Sequence, residues 1–273
     1  MTRLHFGALG SLLLLAAPAL AQGRLQQVSD AVDHSSGGSS GSGDSCSDGH
    51  GDGAGELVGY LVLAPFALPH MALDDDFDRY GYFPRYPYRN GWPGYLHFDP
   101  DEDQKTAEGL RFWSARLSVE DGNDLQSINR VGGRLLVDTT TRFGLQLRGN
   151  YLTEELSCGC IDELFLGSAE LTYRFAQTER VQMYAGLGAN VLDNPVKTRW
   201  GFNFTYGTDL FLVKPLVLSL ELDAGTLGKV GAFHGRGTAG VLWRGWEVFT
   251  GYDYRRIGPV DLQGPVAGVR LWF

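Results

Sequence analysis

Val266-Ala-Gly-Val-Arg-Leu-Trp-Phe273 is the stretch on which the reading of the fold turns. In an extended chain Ala267, Val269, Leu271 and Phe273 fall on one side and Gly268, Arg270 and Trp272 on the other, because strand side chains alternate with period two. One face is apolar to the final residue. Chain ends in water usually fray, so an apolar terminal strand needs something to hold it. A barrel does this, because its last strand pairs with its first and no edge is left.

Working back from that end, the two-sided pattern repeats. About ten strands are predicted, over 110–120, 129–139, 142–152, 163–175, 180–191, 200–212, 216–225, 231–243, 246–255 and 265–273. Val181, Met183, Ala185, Leu187, Ala189 and Val191 oppose Gln182, Tyr184, Gly186, Gly188 and Asn190. Leu216, Leu218, Leu220 and Leu222 likewise oppose Ser219, Glu221 and Asp223. These lengths match strands that cross a bilayer at a tilt.

The connections are expected to alternate in length. Those at 121–128, 153–162, 192–199 and 256–264 read as long and 226–230 as intermediate. Those at 140–141, 176–179, 213–215 and 244–245 read as short and lie on the side of Phe273. Aromatic residues Trp113, Tyr151, Phe175, Trp200, Trp243 and Trp246 are placed as interfacial girdles. A secreted β-sandwich has no reason to order its loops and aromatics in this way.

The terminal octapeptide resembles the last strand of bacterial outer-membrane β-barrels, which typically ends on Phe with apolar residues at alternate positions before it. The resemblance implies an all-β fold: a closed, antiparallel, up-and-down transmembrane barrel of the small outer-membrane class. It further implies that Val269, Leu271 and Phe273 form the signal read by the barrel-assembly machinery, and that outer-membrane lipid is a partner. The short turns and an N-terminal extension would then face the periplasm.

The N-terminus agrees with export. Arg3, the apolar run from Leu9 to Leu20 and Ala19-Leu20-Ala21 have the form of a secretory signal peptide over residues 1–21. With 43% hydrophobic residues and a mean hydropathy of −0.14 the chain looks like a soluble protein. That average conceals an alternation in which lipid-facing and lumen-facing residues cancel.

Charge divides the chain. Residues 1–108 hold 15 acids and 6 Lys/Arg, whereas residues 109–273 hold 17 of each, so the net charge of −9 lies wholly in the first part. A balanced barrel segment offers no basic excess for a nucleic acid.

Residues 22–56 are read as a flexible linker, because the Gly/Ser/Asp tract over 35–55 cannot bury enough apolar area to offset its ordering entropy. Asp44, Cys46, Asp48, His50 and Asp52 in that tract lack a rigid frame, and no metal or other cofactor is expected. Residues 57–108 interleave aromatics with proline and are read as a cap or plug of the barrel, which occupies 109–273.

By parity the lumen receives Arg116, Arg130, Arg134, Arg148, Arg174, Arg236 and Arg270 together with Asp138, Glu170, Asp209, Glu221, Asp223, Glu247 and Asp253. In a narrow barrel these charges are expected to form an ionic network, since an unpaired one is heavily penalised. The bland reading is a filled interior that braces the barrel. The sharper one is a narrow channel, lined by Arg and acidic residues, for small solutes or ions.

Catalysis is not expected, although a rim-located hydrolase stays as a third reading. Omptin proteases, themselves barrels, carry acidic pairs and an Asp/His arrangement at the outer rim. Here only His234 with Asp223 resembles that arrangement, and no Asp-x-His motif occurs within the barrel segment 109–273. Cys158 and Cys160 can close a tight disulfide, or capture a metal with two thiols, while Cys46 is expected on the opposite side of the membrane. The expected function is a structural or interaction role, with a periplasmic or cell-surface partner left unspecified.

Overall fold

The computed structural model describes residues 23–34, 66, 73, 75, 113–125, 127–139, 141–178 and 180–273. Ten antiparallel strands make up the sheet: β1 (Trp113–Asn123), β2 (Ile128–Thr139), β3 (Phe143–Glu155), β4 (Ile161–Gln177), β5 (Val181–Asp193), β6 (Thr198–Leu210), β7 (Leu216–Leu227), β8 (Val230–Trp243), β9 (Trp246–Ile257) and β10 (Val260–Trp272). Each pairs with its sequence neighbours, and β10 returns to β1 with Leu117 opposite Leu271 and Val119 opposite Val269, which closes the barrel.

The alternation read from the sequence is the alternation of the wall. In β1 the burial pattern switches at every residue, with Ser114, Arg116, Ser118 and Glu120 inward and Trp113, Leu117 and Val119 outward. Leu145, Leu147, Leu171, Leu187, Leu220, Leu222 and Val248 continue the exposed apolar exterior. Trp113, Phe143, Tyr173, Trp243 and Trp246 ring the end that holds Phe273; Tyr151, Phe165, Trp200 and Phe233 ring the other, hereafter the distal end. So large an apolar surface is unsuited to water and suits a bilayer with aromatics at both interfaces. No helix among the described residues is long and apolar enough to cross a membrane, which says nothing of strands.

Leu187, halfway along β5 and 57% exposed, tests this exterior. Leu187→Arg is expected to cost about 2–4 kcal/mol of folding stability in lipid vesicles, whereas Val196→Arg, in an exposed connection, should leave it unchanged. Equal effects at both sites would contradict the lipid-facing assignment.

The expected asymmetry of the connections does not survive. The strands run further than their sequence pattern shows, so the distal connections shrink to 124–127, 156–160, 194–197, 228–229 and 258–259. At the other end they are 140–142, 178–180, 211–215 and 244–245, of similar length. The region 256–264, read as a long loop, is a hairpin turned at Gly258 (φ 56), with Val260↔Ile257 and Leu262↔Arg255 paired. Polar residues of either parity continue a ladder beyond the apolar band, because the backbone hydrogen bonds of the pairing do not need apolar side chains.

The linker reading also fails at its start. Arg24–His34 is an α-helix, α1, and Leu25, Val28 and Val32 lie on one face at helical spacing. These three are buried against Ile128, Leu152, Leu164, Leu166, Leu192, Leu227, Ile257, Val260 and Leu262, the inward apolar residues of the distal mouth. The Glu154 carboxylate accepts from the Leu25 N–H at 2.8 Å, where the positive end of the helix dipole favours an anion. Arg24 pairs with Asp124, Arg199 with Asp33, and Asn194 Nδ2 donates to Ser29 Oγ at 3.0 Å. Gly23 enters so closely that a Cβ would lie 2.5 Å from Leu156 Cδ2. The extension was expected beside the end that holds Phe273; instead its first helix closes the opposite mouth.

Of the cap-or-plug segment, Phe66 packs on the outside of the wall, with ring centroids 5.4 Å from Phe175, 6.4 Å from Phe204 and 5.8 Å from Tyr206. Phe175 is thereby covered and is no bare girdle residue. Asp75 meets Arg142 of the 140–142 turn at 3.2 Å. Neither Phe66 nor Asp75 enters the lumen. Residues 1–22, including the expected signal peptide, and 35–65, with Cys46 and the Gly/Ser tract, lie outside the described residues.

Candidate functional site

The strands deliver charges to the lumen because every second position of a barrel wall points inward. Three layers result. Nearest Phe273, Arg174 lies 3.6 Å from Asp138 and donates to Gln177 Oε1 at 2.5 Å. Arg270 donates to both oxygens of Glu247 at 2.9 and 3.1 Å, and Trp272 Nε1 donates to the same carboxylate at 2.8 Å. Beside them Phe211, Val217 and Leu242, with Trp272, form an apolar cluster across that end.

In the middle layer Arg116 meets Asp209 at 2.7 Å, and Ser219 Oγ donates to Asp209 at 2.6 Å. Arg148 reaches three carboxylates on two other strands: Glu170 of β4 at 2.8 Å, and Glu221, at 2.6 Å, and Asp223 of β7. Arg134 pairs with Glu221 and donates to Gln146 Oε1 at 2.6 Å and to the Tyr184 hydroxyl at 2.7 Å. Tyr184 in turn donates to Glu221 at 2.9 Å. The distal layer links Arg236 and Arg130 through Glu120, at 3.0 and 3.4 Å, and Arg130 to Asp253 at 2.6 Å.

His234 sits between two carboxylates, Nδ1 at 2.6 Å from Asp223 and Nε2 at 2.8 Å from Asp253. Carboxylate oxygens only accept, so both ring nitrogens must donate and the ring is an imidazolium. Neither nitrogen is left to take a proton from a substrate. The ligand atoms of Glu221, Asp223 and His234 lie within 4.8 Å of one another, a spacing that can hold a metal. The Arg148 guanidinium, however, already bridges Glu221 and Asp223, so an ion would have to displace it.

The structure thus places every one of the fourteen lumen positions read from parity inside the barrel, each in an ion pair. The sequence reading missed Glu120, although it shares its face with Arg116 and Ser118. Arg255, the last residue of the predicted strand 246–255, was also missed although it shares its parity with Glu247 and Asp253. Val269 and Phe273 are exposed on the outside, and Leu271 is half-buried. Cys158 and Cys160 are exposed free thiols, so the disulfide read as possible is not formed. Their thiols hydrogen-bond to each other, which holds Cys158 below the ordinary thiol range and pushes Cys160 above it.

No protein-family model matches the chain, and no curated protein matches it. Among solved structures it is similar to the outer membrane protein OprG from Pseudomonas aeruginosa, at 12% identity over 59% of this chain and 95% of that one, with a TM-score of 0.31. It is similar also to CdiB from Acinetobacter baumannii, at 9% identity over 54% of this chain and 39% of that one, with a TM-score of 0.28.

Proposed function

We propose that this protein is a bacterial outer-membrane β-barrel with a structural or interaction role, whose lumen is closed by its own side chains. The observation that carries the reading is the Arg148 network, which ties β3 to β4 and β7 across the barrel interior. Apolar clusters above and below it support the same reading, α1 at one mouth and Phe211, Val217, Leu242 and Trp272 at the other. Ions passing such a lumen would have to break buried pairs that the narrow space gives no water to replace. Export by the signal peptide, recognition of the terminal strand by the assembly machinery and residence in the outer membrane belong to the same proposal. No catalytic role is assigned to His234, whose two nitrogens are both engaged.

Planar bilayers test the closure. The purified barrel is expected to give no conductance steps, either whole or lacking residues 22–108, because the ionic layers remain when α1 is gone. Ion-selective steps from both forms would replace this reading with a channel. Steps from the shortened form alone would make α1 the seal.

A further inference from the structure

We infer that the cavity beneath α1 is a seat for one small inorganic anion of chloride's size, held by Arg255. Arg255 points inward from β9, on the same face as Asp253 and Ile257, and lines two small cavities between the ionic layers and the helix. The larger has about 40 Å³ open to the centres of water-sized occupants. One water needs roughly 10–15 Å³ by that measure, so a small ion fits and an organic solute does not.

Charge decides what fills it. Arg148, His234 and Arg255 line the larger cavity with the carboxylate Asp223; Arg148 is already paired with Glu170, Glu221 and Asp223 and His234 with Asp223 and Asp253, which leaves Arg255. The Asp223 carboxylate is already committed: Oδ1 accepts from Thr205 Oγ1 at 2.5 Å, and Oδ2 from His234 at 2.6 Å and from Arg148. Asp253 acts on Arg255 most strongly among the acids, but its two oxygens serve Arg130 at 2.6 Å and His234 at 2.8 Å. Among the described residues no side chain hydrogen-bonds to the Arg255 guanidinium, while Arg130 and Arg148 add repulsion. A half-buried cation with its acids spoken for favours a counter-ion. Ser168, which also lines the cavity and accepts from Arg148 Nε at 3.0 Å, has a hydroxyl hydrogen that an anion accepts from. The inference adds to the closed-lumen reading without resting on it, since halide binding and conductance are measured separately.

The test follows thermal unfolding of the detergent-folded barrel while sodium chloride replaces sodium gluconate at constant ionic strength. Because an ion that binds only the folded state stabilises it, the wild-type midpoint is expected to rise with chloride and saturate. Arg255→Gln should show a flat response. A wild-type midpoint indifferent to chloride, or an Arg255→Gln curve that follows the wild type, would overturn the inference. A second measurement needs no variant: crystals grown in bromide should show an anomalous peak against the Arg255 guanidinium. A cavity holding only water under those conditions would likewise sink the idea.

Discussion

Arg148→Met is expected to lower the stability of the folded barrel by about 3–5 kcal/mol, the penalty for orphaning a buried charge. Methionine keeps much of the apolar volume of the arginine stem, so the loss is electrostatic. Glu221 retains Arg134 and Tyr184, and Asp223 retains Thr205 and His234. Glu170 fares worst. Its Oε1 keeps only Asn203, at 2.7 Å, and its Oε2 has no partner even in the intact protein. Arg148→Met combined with Glu170→Gln should therefore recover part of the loss, since the second change neutralises the most exposed debt of charge. Denaturant unfolding followed by heat-modifiable gel migration reads both values. A single variant as stable as the wild type would mean that water enters the lumen and screens the network.

Val28→Asp should release α1 from the distal mouth while leaving the wall intact. Val28 is fully buried, within a cluster made only of aliphatic side chains. Burying a valine contributes about 1.5–3 kcal/mol, and an unpaired carboxylate in the same place would cost more than that. The helix then leaves rather than carry the charge inward. Amide hydrogen exchange over residues 24–34 is expected to lose its protection, with exchange in β1 to β10 unchanged. Continued protection of the helix amides would show that the hydrogen bond from Leu25 to Glu154 and the pairs at Arg24 and Asp33 are enough to seat it.

The helix also marks where sequence reading stopped short. Leu25, Val28 and Val32 do have helical spacing, but a single stripe of three residues beside a Gly/Ser tract is too brief to distinguish from linker. Its stability comes from the ring of apolar residues it covers, and those come from β2, β3, β4, β5, β7, β9 and β10. The connections were misjudged for a related reason. Apolar alternation ends where the lipid ends, whereas strand pairing continues, as the ladder from Val266↔Gly251 to Val260↔Ile257 shows.

The sequence by itself determined the number of strands, their order and which side chains face inward. Those are consequences of a period of two, a property each strand has alone, and the apolar surround that selects one parity for the outside. Only the tertiary structure decided who meets whom: Arg148 with carboxylates of β4 and β7, His234 between Asp223 and Asp253, Arg255 left over, and α1 in the distal mouth. Partners across a closed wall depend on register and shear summed around the whole barrel, and no local pattern carries that sum.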